Sequence, residues 1–376
     1  MKLTRRELLK TTGTLGAGLG LAGVGAMNAL ASPSPKSILI LGGTGFIGPH
    51  TVRYAIERGH KVSIFTRGKS KVELPDGVEH LVGDRNDDHT ALEGREWDVV
   101  IDNNCRDYRW AQKSTELLKD ATGQYLFVSS ISAYALPEPG PEQASKVFNG
   151  PPLPVDAPLV AKPEGWKDGD EADYAWMKVH SESIVQAAFP GRNTIVRPGL
   201  IVGPGDPTWR WSYWPLRLQA GGEVLAPGNP QHSIQIIDQR DLTEWQIRLL
   251  ENGRMGVFNG TGPAERLSFE SMLQQTGSVT SKDWSLTWVP EGFLEQQEVQ
   301  AWSDMPAWAP GNPIMYVDVS VSMAKGLSFR PLTLTAQDTL AFEQSRPAGD
   351  PRAREFSMNP ERERQVLDAW RASKQS

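Results

Sequence analysis

Three glycines at a fixed spacing constrain the fold of this chain more than any other sequence feature. They occupy positions 42, 45 and 48 and give the pattern G-x-x-G-x-x-G. The apolar run Ser37–Leu41 precedes them, as expected of a buried parallel strand, and a helical stretch follows to about Glu57. Glycine lets the backbone turn tightly and approach a pyrophosphate, while a helix N-terminus offers N–H groups. This order predicts a dinucleotide-binding loop with the contact residues Gly42, Gly45, Phe46, Ile47 and Gly48.

Strands and helices alternate along the first half of the chain. Apolar runs at 61–66, 80–82, 97–102 and 125–128 predict strands, and the pattern at 110–119 predicts a helix. Such alternation predicts an α/β fold with a Rossmann-like, doubly wound parallel sheet. It weakens from about Asp206, which predicts a smaller C-terminal substrate-binding lobe interleaved with the Rossmann core. The predicted bounds are 1–31 for an N-terminal leader, 32–205 for the Rossmann domain, 206–345 for the lobe, and 346–376 for a linker and a docking helix.

Composition excludes several classes of protein. With 376 residues, 39% hydrophobic and 22% charged, the chain can build the packed core of one large or two modest domains, which excludes global disorder. A net charge of −6 argues against nucleic-acid binding, because neutralising phosphates needs clustered cations. Cys105 is the single cysteine, so an internal disulfide and a cysteine-rich zinc site are excluded, and no metal site is predicted.

The N-terminal leader differs in composition from the rest of the chain. Arg5 and Arg6 form a pair, a weakly apolar Gly/Ala-rich stretch follows, and residues 29–31 supply the small side chains that a signal peptidase reads. This segment resembles a bacterial twin-arginine (Tat) export signal. The resemblance implies transient binding to the Tat translocase, cleavage after Ala31 and a periplasmic location. Retention as a membrane anchor is the alternative, which the many glycines and few bulky side chains disfavour.

Residues after the second predicted strand bear on the choice of cofactor. Proteins that bind NAD in this fold carry an acidic residue there, which holds the ribose 2′-hydroxyl. This chain has Arg67, with Lys69 close behind, and a cation there suits a 2′-phosphate. The sequence therefore predicts an NAD(P) cofactor and leans toward NADP, with a solvated basic turn as the alternative. Asp84, after the third strand, stands where this fold contacts adenine.

A tyrosine and a lysine form the centre of the predicted catalytic site. Tyr174 and Lys178 stand four residues apart, so a helix places them on one face, one turn apart. The lysine ammonium favours the phenolate, which then acts as a base toward a substrate hydroxyl. Ser130, just after the strand at 125–128, is expected to give the reacting oxygen a second hydrogen bond.

Over roughly residues 37–341, these motifs together resemble an extended or atypical short-chain dehydrogenase/reductase of the NAD-dependent epimerase/dehydratase family. The resemblance implies that Ser130 is the catalytic serine and that Ser132 is a lesser candidate, in contact with substrate. It also implies that Tyr174 is the base or acid, and that Lys178 activates it and binds the nicotinamide ribose.

The same resemblance implies further contacts. Pro198 is expected to border the nicotinamide amide, and Asn103 to lie near the cofactor, although a simple cap on the strand end is the alternative for Asn103. The family also implies a homodimer, formed through the helix near Trp110 and the helix that carries Tyr174.

Two features depart from the family's pattern. Dehydratases of the family carry an Asp-Glu pair directly after the catalytic serine or threonine, where this chain has Ile131 and Ser132, so dehydration is disfavoured. Eight prolines between Leu136 and Pro163 stiffen a long insertion, 136–170. We interpret this insertion as a flap over the substrate site, with a surface insertion of no catalytic role as the alternative.

Tryptophans crowd the start of the second half. Trp209, Trp211 and Trp214 are the predicted substrate-stacking residues, because aromatic faces stack on the C–H faces of sugars and the family builds its substrate site here. Packing in the core is the alternative. Near the other end of the chain, Asn359 and Pro360 predict the start of the docking helix.

Together these features predict an exported, NAD(P)-dependent sugar epimerase/oxidoreductase that acts on a secondary alcohol through a transient ketone. The Tat route carries folded proteins, which implies that the cofactor is loaded before export and favours a redox-neutral reaction. An NADP-dependent dehydrogenase or reductase with net hydride transfer is the first alternative. The second is a non-catalytic, cofactor-binding sensor or scaffold, which the presence of Ser130, Tyr174 and Lys178 disfavours.

Overall fold

Seven parallel strands form the main sheet of the protein in its computed structural model. The strands are β1 (Ser37–Leu41), β2 (Lys61–Thr66), β3 (Glu79–Val82), β4 (Trp97–Asp102), β5 (Thr122–Val128), β6 (Asn193–Pro198) and β11 (Gly256–Gly260). They lie in the order β3-β2-β1-β4-β5-β6-β11, so the strand order reverses between β1 and β4. This confirms the predicted α/β fold, and the reversal is the point at which such sheets form a crevice for a ligand.

The structure describes residues 34–103, 105–136, 142, 146–347 and 358–375. The predicted leader, 1–31, lies outside the described residues, as do part of the insertion and most of the predicted linker. From Ser34 onward the described residues form one compact unit. Within these ranges no helix is both long and apolar enough to cross a membrane.

Helices cover both faces of the main sheet. Those on one face are α1 (Gly48–Glu57) and α5 (Gln239–Glu251), and those on the other are α2 (Tyr108–Leu118) and α3 (Tyr174–Ala188). Ile38 and Ile40 of β1 pack into the first apolar cluster, whereas Leu39 and Leu41 pack into the second. Because both faces are buried, every position of β1 is apolar after its first residue, which explains the unbroken apolar run in the sequence.

Local side chains set where these helices begin and end. Helix α2 begins two residues before the predicted start, because the Asp107 carboxylate accepts a hydrogen bond from the Arg109 backbone N–H at 3.0 Å. Helix α1 ends at Glu57 as the sequence predicted, and Gly59 follows with a φ of 87°, a backbone region that glycine enters without strain.

The second half builds an apolar cluster of its own. Its helices are α4 (Tyr213–Ala220), α6 (Phe269–Gly277), α7 (Glu291–Gln296), α8 (Ser320–Ala324) and α9 (Leu332–Gln344). Its short strands are β7 (Leu200–Val202), β8 (Gly222–Pro227), β9 (Ser233–Ile234), β10 (Ile236–Asp238), β12 (Leu267–Ser268) and β13 (Trp284–Val289), paired as β7 with β10, β8 with β13 and β9 with β12. Strand β11, by contrast, joins the edge of the main sheet beside β6.

The last helix, α10 (Pro360–Ser373), docks on this second half. The Asn359 side-chain Oδ1 accepts a hydrogen bond from the Arg362 backbone N–H at 2.9 Å, so the helix begins where the sequence predicted. The buried Glu363 accepts hydrogen bonds from Arg217 Nε at 2.6 Å and from the Leu225 N–H at 2.9 Å.

Candidate active site

Most of the predicted site residues gather at one edge of the main sheet, where the parallel strands end. Gly42 follows β1, Asn103 follows β4, Ser130 follows β5 by two residues, and Pro198 is the last residue of β6. Because parallel strands share their carboxyl ends, the sheet brings together groups that are far apart in the sequence.

The glycines of the loop after β1 serve different purposes. A Cβ on Gly48 would lie 2.4 Å from the carbonyl carbon of Gly43, so the start of α1 touches the loop backbone. Gly42 has a φ of 113° and Gly43 a φ of 98°, which favour glycine. A Cβ on Gly45 would meet no atom within 4 Å, so this glycine faces open space. The loop therefore has the shape of a cradle that Gly45 keeps open.

The start of α1 provides hydrogen-bond donors beside this cradle. Ile47, at the N-cap position, is buried and gives no side-chain cap to the helix, and Phe46 is half-buried beside it. Uncapped N–H groups at a helix N-terminus suit an anion such as a pyrophosphate.

Asn103 supplies independent evidence for a ligand at this edge. Its Oδ1 and Nδ2 atoms are both buried, and neither has a hydrogen-bond partner among the described residues. Buried amide groups rarely stay unsatisfied, so a bound molecule is expected to complete them. Together with the open cradle at Gly45, this means that the residues present fit a dinucleotide cofactor.

The region after β3 is held by a buried ion pair. Asp84 accepts hydrogen bonds from the backbone and the side chain of Asn86, at 3.0 and 2.9 Å, and is half-buried. The neighbouring Arg85 makes a two-pronged pair with Asp102 at the end of β4, at 2.6 and 2.7 Å. The Arg85 guanidinium also lies 5.2 Å from the ring centre of Trp110. These contacts fix the position of Asp84 relative to β4.

Arg67 follows the end of β2 and is exposed. It makes no ion pair with any of the described residues. Thr66 before it is half-buried and bonds to His80 at 2.6 Å. The Arg67 side chain is therefore free to meet an anionic group at this corner of the sheet.

Lys178 is buried and tightly held. Its Nζ donates to the backbone carbonyls of Cys105, at 2.9 Å, and of Val128, at 3.0 Å. The ammonium also lies 5.8 Å from the centre of the Tyr174 ring. Two fixed carbonyls therefore hold a positive charge beside the tyrosine.

Tyr174 is the first residue of α3, and its entry into the helix is fixed by the Asp173 carboxylate, which accepts from the Trp176 N–H at 2.9 Å. The tyrosine is 55% exposed, whereas Lys178 below it is buried. The phenol therefore stands at the mouth of the site, where a substrate can reach it.

The serine side of the site is a single tight turn. Ser130 is buried, and its Oγ accepts a hydrogen bond from the Ser132 backbone N–H at 3.1 Å, which starts a short 3-10 turn at Ile131–Ala133. This turn packs directly against α3. The structure thus brings Ser130 and Ser132 to the helix that carries Tyr174 and Lys178.

Sequence reasoning missed a buried ion pair behind these residues. Glu182 and Arg197 form a two-pronged pair at 2.9 and 2.7 Å, and both side chains are buried. Ser129 Oγ donates to the same Glu182 carboxylate at 2.5 Å. Two signals were present in the sequence: Glu182 stands four residues after Lys178, and Arg197 directly precedes Pro198.

Pro198 is buried at the end of β6, and the next residue packs tightly against a neighbouring strand end. A Cβ on Gly199 would lie 2.3 Å from the Thr261 hydroxyl, which follows β11. The Thr261 Oγ1 is buried and has no partner among the described residues. Gly199 is thus required where these two strand ends meet.

Cys105 contributes to the site through its backbone. Its side chain is buried, and burial raises the pKa of the Cys105 thiol, which favours the neutral form. Its carbonyl, in contrast, is one of the two that hold Lys178.

The three tryptophans predicted to stack on a sugar lie in the interior, which contradicts that expectation. Trp211 and Trp214 are completely buried, and their indole N–H groups bond to Met272 Sδ at 3.3 Å and to the Pro306 carbonyl at 2.7 Å. Trp209 is also buried, with a φ of 55°. Burial of these large apolar surfaces in the core of the second half outweighs their use at a surface.

The described part of the insertion is anchored to the turn that follows Ser130. Ala135 donates to the Pro158 carbonyl at 2.8 Å, and Val160 donates to the Ala133 carbonyl at 2.9 Å. Leu153 bonds to the backbone on either side of Val317. The insertion therefore lies beside Ser130, as a flap would, although its residues 137–141 and 143–145 lie outside the described part.

Comparison with known proteins adds independent evidence. A model of the NAD dependent epimerase/dehydratase family matches residues 38–259, more than half of the chain. Chloroplast stem-loop binding protein of 41 kDa b, from Arabidopsis thaliana, is 30% identical over 63% of this chain and 61% of its own length. The 2-alkyl-3-oxoalkanoate reductase of Stenotrophomonas maltophilia is 28% identical over 45% of this chain and 52% of its own length. The chain thus spans less than two thirds of either relative.

Solved structures show the same fold at low identity. A UDP-N-acetylglucosamine 4-epimerase from Methanobrevibacter ruminantium M1, in complex with UDP-N-acetylmuramic acid, has a TM-score of 0.61 and 16% identity over 83% of this chain and 99% of that one. The Bordetella bronchiseptica enzyme WbmH, in complex with NAD+, has a TM-score of 0.57 and 14% identity over 82% and 98%. At these identities the likeness shows the fold alone.

Proposed function

Because the chain belongs to the NAD dependent epimerase/dehydratase family, a family of NAD-dependent enzymes, we propose that it interconverts a secondary alcohol and a ketone. The observation that carries this proposal is the buried ammonium of Lys178, held by two backbone carbonyls beside the exposed phenol of Tyr174. A structural lysine would not need burial next to an exposed tyrosine, since burying a charge is costly.

Each residue then has a defined task. Tyr174 takes the proton from the substrate hydroxyl in one direction and returns it in the other. Lys178 stabilises the phenolate by its charge, and Ser130 donates a hydrogen bond to the reacting oxygen. The glycine loop, the start of α1, Asn103 and Pro198 would hold the cofactor. When bound, the nicotinamide supplies hydride acceptance and return at the carbinol carbon.

We further propose that the substrate is a sugar and that the reaction is redox-neutral, an epimerisation through a transient ketone. Support comes from the fold, which is shared with sugar-nucleotide epimerases, and from the serine turn, where Ile131 and Ser132 lack the acid pair that dehydration needs. Net reduction of a ketone is the second candidate. It is favoured by two relatives that are named as reductases, one of 2-alkyl-3-oxoalkanoates and one putatively of dihydroflavonol.

One assay separates these candidates. The purified protein is incubated with a panel of sugars and NAD+ or NADP+, and with a panel of β-keto acids and NADH or NADPH, while absorbance at 340 nm and product stereochemistry are followed. An epimerase inverts a stereocentre of the sugar without a net change in absorbance, whereas a reductase consumes NADPH in proportion to the product formed. If no compound of either panel turns over with either nicotinamide cofactor, the proposed function is wrong.

We propose that the protein is exported by the Tat translocase and works in the periplasm. The support is the sequence of the leader, with its Arg5-Arg6 pair and its small residues at 29–31. Cell fractionation tests this: replacing both arginines by lysine should retain the protein in the cytoplasm, and an unchanged distribution would contradict export by this route.

We propose that the cofactor is NADP, although the structures with a related fold contain NAD. Support comes from the exposed Arg67 after β2, where an acidic residue would otherwise select NAD. Replacing Arg67 by alanine should weaken NADPH binding about tenfold and leave NADH binding within about twofold, because only the 2′-phosphate loses a partner. Fluorescence titration measures both.

Arg95 provides the control for this prediction. It is exposed at the opposite, amino-terminal edge of the sheet, next to β4. Arg95→Ala removes a cation of the same type and should change neither affinity. Equal loss of NADH and NADPH binding in Arg67→Ala would show that Arg67 does not read the 2′-phosphate.

The stem-loop binding in the name of the Arabidopsis relative is not a candidate that this chain supports. The net charge of −6 opposes the phosphate backbone of a nucleic acid.

A further inference from the structure

We propose that Ser129, Glu182 and Arg197 form a positioning network, which sets the distance between α3 and the turn at residues 130–134, here called the catalytic turn, and ties the insertion to that distance. The inference rests on the proposed roles of Ser130, Tyr174 and Lys178. It assigns a task to three buried polar residues that touch neither the cradle nor the mouth of the site.

Glu182 is the centre of this network. It lies one turn beyond Lys178 on α3, and its carboxylate accepts three hydrogen bonds: from Ser129 Oγ at 2.5 Å and from Arg197 at 2.9 and 2.7 Å. Ser129 directly precedes Ser130, and Arg197 lies on β6. One carboxylate on α3 therefore holds the ends of two neighbouring strands.

A second contact between α3 and the end of β5 fixes the rotation of the helix as well as its distance from the strand. Lys178 Nζ donates at 3.0 Å to the carbonyl of Val128, the last residue of β5, and the next residue, Ser129, donates to Glu182. The end of β5 is therefore joined to α3 at two points that lie one turn apart on the helix. Two joints fix both spacing and rotation, whereas one joint would leave a hinge. These two contacts fix the position of Ser130 relative to Tyr174. Ser130 directly follows Ser129, and Tyr174 lies one helical turn before Lys178.

Arg197 extends the clamp to the insertion. Its Nη1 donates to the Val155 carbonyl at 3.0 Å, and its guanidinium lies 4.9 Å from the ring centre of Tyr134. The Tyr134 hydroxyl in turn donates to Asn259 Oδ1 at 2.6 Å. The arginine that braces α3 thus also holds the backbone of the insertion beside the catalytic turn.

The network persists because its charges are matched inside the protein. Burial alone would lower the pKa of Arg197, but the hydrogen bonds and the charge of Glu182 outweigh burial and raise it, so the arginine stays charged. A buried ion pair contributes little to net stability compared with apolar side chains of similar size. Geometry is therefore the property that such a pair supplies here.

Ser129→Ala tests the proposal with the least disturbance, because it removes one hydroxyl. Amide hydrogen exchange of the full-length protein should become about tenfold faster at Ala133 and Tyr134, the amides of the catalytic turn. NADH affinity, measured by fluorescence, should stay within about twofold. With the alcohol or ketone found in the panel assay, kcat should fall about tenfold at unchanged KM, because a small misplacement of reacting groups lowers the rate.

Ser63→Ala is the matched control. Ser63 is also a buried serine whose hydroxyl donates to a glutamate, Glu79, at 2.8 Å, but it lies on β2 away from the catalytic turn. It should change neither the exchange at Ala133 and Tyr134 nor kcat. Equal exchange rates in Ser129→Ala and wild type would overturn the proposal.

A pair of variants separates positioning from stability. Glu182→Met leaves Arg197 buried and unpaired, so Tm should fall; adding Arg197→Met removes that charge, so Tm should recover. The exchange at the turn and the low kcat should persist in the double variant. If kcat recovers together with Tm, the pair is merely structural and the proposal is wrong.

The exchange measurement needs no substrate. If the panel assay finds no turnover but Ser129→Ala still loosens the turn, the proposed function has failed and the positioning network stands. If turnover is found and Ser129→Ala leaves both exchange and kcat unchanged, the network has failed and the function stands.

Discussion

Tyr174→Phe is expected to lower turnover of the secondary alcohol by about 10²–10⁴-fold, the contribution typical of a positioned proton-transfer group. The substitution removes a hydroxyl from a side chain that is 55% exposed and has no hydrogen bond to another described residue, so the fold loses nothing with it. NADH affinity should stay within about twofold of wild type. The measurement is kcat at saturating cofactor together with a fluorescence titration of NADH.

Tyr54→Phe is the control for this prediction. Tyr54 lies on α1, and its hydroxyl accepts one hydrogen bond, from Arg248 at 3.3 Å. It should keep wild-type turnover. Wild-type turnover in Tyr174→Phe would assign the base to another group and would favour a cofactor-binding scaffold, in which the tyrosine has no chemical task.

The second large effect concerns the glycine loop after β1. Substitutions at two of its glycines are expected to distinguish an effect on cofactor binding from an effect on folding stability. Gly45→Ala adds a methyl group that meets no protein atom within 4 Å, so the free energy of unfolding without cofactor should change by less than about 1 kcal/mol. NADH affinity should nevertheless fall at least about tenfold, because the methyl group fills the space that a pyrophosphate needs.

Gly48→Ala should damage both properties. Its methyl group would lie 2.4 Å from the Gly43 backbone, which cannot yield as a flexible side chain does, so the loop must move. We expect a loss of about 1–3 kcal/mol in the free energy of unfolding, as for overpacked interiors, together with the loss of NADH binding. Denaturant unfolding without cofactor and NADH titration measure the two effects.

Gly292→Ala is the control for both substitutions. Gly292 lies in α7, has no strained φ, and a Cβ there would meet no atom within 4 Å. It should bind NADH as wild type does. Wild-type NADH binding by Gly45→Ala would show that the cofactor does not approach the loop at this residue.

Much of the fold was predictable because it follows from local rules. The unbroken apolar run of β1 predicts a strand that is buried on both faces, and the glycine spacing predicts the tight turn into α1. The structure has both. The start of the last helix follows from Asn359, whose side chain caps it. Each of these signals depends on neighbours in the sequence, so periodicity and residue type are sufficient to read it.

The tryptophans show where this reasoning fails. Trp211 and Trp214 are aromatic side chains of the type that stacks on sugars, but both are buried in the apolar cluster of the second half. An aromatic side chain suits a core and a binding face equally well. Only the contacts, here with Met272 and Pro306, distinguish the two uses.

The sequence by itself determined the glycine loop, the alternation of strands and helices in the first half, and the spacing of Tyr174 and Lys178 on one helix face, because each depends on nearby residues. The tertiary structure decided which groups surround them. Glu182 and Arg197 meet because α3 crosses β6, and Lys178 is held by carbonyls from two separate strand ends. Such contacts depend on how segments that are distant in the sequence pack together, and the spacing of residues in one sequence does not predict that packing.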